Sequence, residues 1–190
     1  MTLEAVQVEK RLLSISDYHK MIVAGILGEN DRVELIYGEI LKMSAVHSPH
    51  SSRVKRIANF FFRNLLPQTA NISVQDPITL DLTNSEPEPD IVIAAYREDF
   101  YLEHHPTPTD IHLVIEVSHS TLKYDRLVKT SLYAKSNISL YWIVNIEEEQ
   151  VEVYSKPKNG EYSAKKVIEK GEKIKFDAFK LDIDVASHLG

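Results

Sequence analysis

Short apolar runs bounded by polar turns dominate this chain, and three segments carry helical spacing instead. The strongest run is Ile111–Ser118, "IHLVIEVS", in which Ile111, Leu113, Val114, Ile115 and Val117 read as a strand buried on one face or both. "RVELIYGEILKM" (Arg32 to Met43) places two β-rich runs around Tyr37-Gly38 and predicts a hairpin. Further β-runs are "NISVQ", "ITLDL", "DIVIAA" from Asp90, and "SLYWIVN", which holds the single Trp. "QVEVYSK", "EYSAKKVIE" and "KIKFDAFKLDI" read as closing antiparallel strands. A first helix is expected from an N-cap at Ser16 to about Leu27, ended by Gly28. A second should start near His50 or Ser51 and bury Val54, Ile57, Phe61 and Leu65. "YDRLVKTSLYAKS" predicts a third, and "YREDFYLEHHPTPTD" a charged, proline-bearing loop. With no internal repeat, low-complexity stretch or linker, the expectation is one α/β (α+β) domain over residues 1–190. It should have a central mixed sheet flanked by helices.

One residue breaks the apolar pattern. Glu116 sits inside the strongest strand, and a carboxylate there needs a partner, because buried charge is costly unless paired or bound. Two candidates lie nearby in the pattern. Asp90 follows Pro89 at the mouth of "IVIAA", and Lys129 lies on the helix after the Glu116 strand. If the two strands pair, the carboxylates converge at a sheet edge and the helix can return the lysine to them. Two hard oxygen donors with a main-chain carbonyl and water suit Mg²⁺ or Mn²⁺. Such an ion polarises a phosphodiester, while a lysine orients the nucleophile or steadies developing charge. The bland readings are a Glu116 salt bridge to a structural cation, Asp90 as a turn residue, and Lys129 as half of an i,i+4 pair with Asp125. Asp125 itself reads as a helix cap or a support for the site.

Composition narrows the chemistry. The 190 residues are 43% hydrophobic and 26% charged, enough to bury a core. The chain has no cysteine, which excludes disulfides, zinc ribbons and thiol catalysis. A formal charge of −6 argues against broad, nonspecific DNA affinity but leaves room for a local basic groove. The N-terminus lacks an apolar signal region and no stretch approaches a membrane span, so a cytoplasmic protein with no membrane partner is expected.

Several segments together resemble a known family. "PD" at Pro89–Asp90, "VIEVS" at Val114–Ser118, "STLKYDRLVKTSLYA" at Ser120–Ala134 and "ISLYWIVN" at Ile138–Asn145 look like the Uma-type endonucleases. These are a branch of the PD-(D/E)XK, restriction-endonuclease-like superfamily. "RVELIYGEILKMS" and "HSPHSSRV" match its opening hairpin and helix, so the likeness runs from about Ile15 to Tyr154. The resemblance implies a restriction-endonuclease-like fold and metal-dependent phosphodiester hydrolysis. It implies Asp90 and Glu116 as metal ligands with the Val117 carbonyl as a third, Glu34 as an additional acid near the metal, and Lys129 as the active-site lysine. Ser118 stands where the superfamily motif has lysine, and the family moves that lysine to the following helix. Asn137 and Leu140 replace a more usual glycine-containing approach to the last matched strand, a change read as neutral for chemistry.

DNA is the expected substrate, with the basic helix carrying Arg53, Lys55, Arg56 and Arg63 along the backbone. A homodimer is expected, since two symmetric sites serve two strands. A non-catalytic binding or scaffold protein retaining the fold is the rival, favoured by the acidic balance and by Ser118. RNA or a small phosphodiester is the third possibility. His47 and His50, split by Pro49, suit a loop and helix start near substrate rather than a zinc pair. His104-His105 read as a solvated lid or dimer contact, and Phe60-Phe61-Phe62 as core plus interface.

Overall fold

Alternation along three neighbouring strands sorts their side chains onto the two faces of one sheet, and each face has its own core. In the computed structural model, which describes residues 9–28, 30–45 and 47–185, β4 (Ile91–Ala95), β5 (Ile111–Ser118) and β6 (Leu140–Asn145) are these strands. Ile91, Ile93, Leu113, Ile115, Val117, Trp142 and Val144 point to one side. There they meet Val54, Ile57, Ala58 and Phe61 of α2 (Ser48–Asn64). Val92, Ala94, Val114, Tyr141 and Ile143 point to the other, against Leu132 and Tyr133. Each fully buried aliphatic or aromatic side chain contributes roughly 1.5–3 kcal/mol, so two filled faces fix the register firmly.

The remaining elements complete a six-stranded mixed sheet in the order β3-β4-β5-β6-β7-β8, with β3 at Ala70–Ser73, β7 at Gln150–Lys158 and β8 at Glu161–Ile168. Only β5 and β6 pair in parallel within it, joined by the crossover helix; the other neighbours are antiparallel. Two hairpins lie off the sheet: β1 (Val33–Ile36) with β2 (Glu39–Lys42), and β9 (Lys173–Phe176) with β10 (Leu181–Asp184). Ile36 of the first joins the core on the Tyr133 face, and Ile174, Phe176 and Ile183 of the second join the α2 face. Among the described residues no helix is long and apolar enough to cross a membrane.

Local chemistry moved several boundaries. The first helix, α1, spans Ile15–Val23 and is capped by Ser14, not Ser16. Ser14 and Asp17 form a reciprocal capping box, and the helix closes at Ala24 before Gly25, not at Gly28. α2 begins at Ser48, two residues before His50, with Pro49 in its first turn, and Leu65 is its partly buried C-cap. "ITLDL" forms no strand; Leu80 bridges Ser85 around a 3₁₀ turn at Asp81–Thr83. The third helix is broken into α3 (Leu122–Tyr124), a π turn (Asp125–Lys129) and α4 (Thr130–Lys135). Asn137 takes a left-handed conformation (φ 62°), which asparagine tolerates where glycine is usual.

The predicted hairpin is built on Tyr37 and Gly38, both at positive φ, with Ile36 paired to Glu39 across a two-residue turn. A Cβ at Gly38 would lie 2.8 Å from both the Leu12 Cβ and the Leu13 carbonyl oxygen. Gly38→Ala is therefore expected to destabilise the fold by about 1–3 kcal/mol, read as a lower urea midpoint at unchanged slope.

Candidate active site

The ladder between β4 and β5 stops at Ile91 opposite Ile115, and side chains take over just beyond it. Asp90 Oδ2 accepts from the Val117 N–H at 2.8 Å, and the Asp90 N–H faces Glu116 Oε2 at 3.4 Å. Pro89 helps explain this: it presets the chain ahead of Asp90 and has no N–H to continue a ladder. The carboxylates thus meet where two inner strands end. They do not meet at a sheet edge as expected, because β3 flanks β4 and β6 flanks β5.

Glu116 follows Val114 on the crossover-helix face, so its carboxylate meets that helix. Oε1 accepts from the Tyr133 hydroxyl at 2.7 Å and lies 3.5 Å from Lys129 Nζ. The same ammonium donates to Glu34 Oε2 at 2.6 Å, and the Tyr124 hydroxyl donates to Glu34 Oε1 at 3.3 Å. Glu34, Asp90, Glu116 and Lys129 are all buried. The expected residues therefore converge, with Glu34 delivered by β1 and Lys129 by the π turn. Asp125 does not form the i,i+4 pair with Lys129. Its Oδ2 accepts from Ser118 Oγ at 2.6 Å and from Thr121 Oγ1 at 2.8 Å. Ser118, which replaces the motif lysine, is thus committed to fastening the turn that carries Lys129.

Residues beyond the predicted set complete the cluster. His50 Nε2 lies 2.9 Å from Asp90 Oδ1. Gln75 Nε2 donates to the same Asp90 oxygen at 3.2 Å. His47 is the N-cap of α2 and makes no side-chain capping bond. The pattern placed His50 near substrate but not on Asp90, and nothing local marked Gln75 or Tyr133, whose roles depend on long-range pairing. His104 and the aromatic run take no part. His104 is exposed beside Arg97, Phe61 is core, and Phe62 is exposed.

The cluster carries more acid than base. Glu34, Asp90, Glu116 and Asp125 surround one buried ammonium. Burial pushes the Glu116 carboxyl up, to about 8, against the pull of Lys129 and with help from Asp90 and Asp125. Burial also raises Asp125, opposed by its hydroxyl partners. Burial disfavours the Lys129 charge, yet Glu116 and Glu34 outweigh it and keep the amine protonated. The Asp90 hydrogen bond raises His50. Tyr124 is raised by burial and by Glu34. A cleft of about 550 Å³ opens onto these groups.

The donor set fits a hard divalent cation: two carboxylates and a main-chain carbonyl, all oxygen, in a place short of positive charge. Among the described residues no cluster of three or more His, Asp or Glu side chains stands arranged for a metal. The fit therefore rests on Asp90, Glu116 and the Val117 carbonyl.

Comparison with known proteins gives the same outline. A family model described as "Uma2: Putative restriction endonuclease" matches residues 15–186. A crystal structure titled as a "putative nuclease belonging to DUF820", from Anabaena variabilis, shares the fold with a TM-score of 0.70. It is 16% identical, over 93% of this chain and 97% of that one. No curated protein matches.

The raised carboxyl sets a pH dependence. Between its ordinary value of 4.5 and about 8, the folded chain holds a Glu116 proton that the unfolded chain releases. That contribution is full below 4.5 and is lost as pH rises through 8; raised Asp125 and His50 act in the same sense. Stability measured by urea unfolding should fall between pH 5 and 8, by at most about 1.4 kcal/mol per unit for each proton. Glu116→Gln should flatten the fall.

Proposed function

The chain belongs to the Uma2 family, described as restriction endonucleases, and from that membership we propose that it is a metal-dependent phosphodiesterase cutting DNA. One observation carries the reading: Lys129 Nζ lies 2.6 Å from Glu34 and 3.5 Å from Glu116, beside the Asp90–Val117 contact at the strand ends. In this proposal Asp90, Glu116 and the Val117 carbonyl hold Mg²⁺ or Mn²⁺. When bound, that ion supplies Lewis-acid stabilisation of charge developing on the phosphodiester.

The remaining work falls to the chain. Lys129, kept charged by its 2.6 Å bond to Glu34, donates to the attacking water and to the phosphoryl oxygens; it orients and neutralises rather than removing a proton. Glu34 and Tyr124 hold the ammonium, and Tyr133 fixes Glu116. Hydrolysis is in line: a water oxygen bonds to phosphorus as the bond to the sugar oxygen breaks, the water gives up one proton to bulk solvent, and the leaving oxygen takes one proton from bulk solvent. Exposed Lys55 and Arg63 on α2 support backbone contacts to DNA. One such unit per chain, paired in a homodimer, would cut two strands; light scattering checks the pairing.

The test is Mn²⁺-dependent nicking of plasmid, with RNA oligomers and a model phosphodiester as parallel substrates. Asp90→Asn should lose Mn²⁺ binding and cleavage together. Lys129→Gln should retain Mn²⁺ binding while kcat falls about 10²-fold or more. Mn²⁺ binding without cleavage of any of the three would replace the nuclease by a binding protein of the same fold.

A further inference from the structure

His50 reaches the carboxylates from the opposite layer. α2 packs on the face away from Lys129, yet its first turn passes the strand ends, and His50 bends round them to Asp90. Its partner, Asp90 Oδ1 at 2.9 Å, belongs to one of the three oxygen groups assigned above to the metal. A carboxylate oxygen accepts, so the ring turns an N–H toward it and presents no lone pair there. A histidine that ligates a metal must do the reverse. His50 therefore occupies a carboxylate oxygen that a cation would need, and the two uses exclude one another.

The position of His50 also lets it leave. Burial of α2 in the sheet begins at Val54, one turn later. The N-cap, His47, gives the leading turn no side-chain bond. The His50 side chain is 20% exposed and borders the 550 Å³ cleft. The first turn has no acidic residue, and a helix N-terminus favours anions.

We propose that His50 stands in for the cation: it holds Asp90 until a divalent ion displaces it, and then donates to the phosphate that arrives with that ion. This rests on the metal reading above and adds an order of events to it. Metal entry frees the histidine, and the freed histidine helps hold substrate.

Mn²⁺ titration followed by electron paramagnetic resonance tests it without catalysis. His50→Ala should bind Mn²⁺ about tenfold more tightly than the native protein, since no hydrogen bonds need breaking. The same variant should bind a short DNA oligonucleotide in Ca²⁺ about tenfold more weakly. In the native protein, which needs no folded variant, bound Mn²⁺ should show no nitrogen hyperfine coupling, and Mg²⁺ should shift the His50 ring ¹⁵N signals. Nitrogen coupling, or weaker Mn²⁺ binding by His50→Ala, would make His50 a ligand and overturn the proposal. Unchanged Mn²⁺ affinity in that variant would overturn it too. Failure of the metal reading has a separate signature, an Asp90→Asn variant that binds Mn²⁺ as well as the native chain.

Discussion

A single buried ammonium shared by carboxylates from two separate elements is the constraint on which this site depends. Lys129 can stay charged away from water only because Glu34 and Glu116 face it, and Glu34 can be buried only because Lys129 and Tyr124 reach it. The β1–β2 hairpin, the end of β5 and the crossover helix are thereby tied at one point. None of the three has that partner from its own sequence neighbourhood. Removing one member leaves the others with uncompensated charge, which makes the cluster both a structural knot and a chemical centre.

The sheet explains why this knot forms at the strand ends. Along β4, and along β5 as far as Ile115, the buried positions are apolar, and only where the ladder stops do Glu116, Asp90 and the Val117 main chain meet side chains. The parallel β5–β6 pair needs a crossover, and that crossover delivers Lys129, Tyr133 and Asp125 to the same end. The two cores lie on opposite faces of these strands, so groups from both layers meet only past their termini.

Much of this was legible along the chain. Glu116 stood out because a carboxylate among Val and Ile demands an explanation, and Asp90 and Lys129 followed from strand–helix order. The resemblance of "PD", "VIEVS" and the lysine helix to one nuclease family added Glu34 and the Val117 carbonyl. What stayed hidden depends on pairing across long separations. His50 and Asp90 are 40 residues apart, and Tyr124 and Glu34 are 90 apart. No periodicity records such contacts. Boundaries failed for local reasons: Ser14 outcompeted Ser16 as a cap because Asp17 answers it, and "ITLDL" reads as a strand although its backbone bonds close a turn.

The π turn at Asp125–Lys129 gives the connection a property of its own. It holds one more residue per turn than the helix on either side, and its most outward member, Leu127, is largely exposed. In helical phase that extra residue is worth about 100°. Across it Asp125 faces Ser118 and Thr121 while Tyr133 faces Glu116. The chain's chemistry is thus sensitive to residue count as well as residue identity. A one-residue deletion at a solvent-facing leucine that touches nothing in the cluster would retune every side chain upstream of it, as a slipped tooth mistimes a gear train.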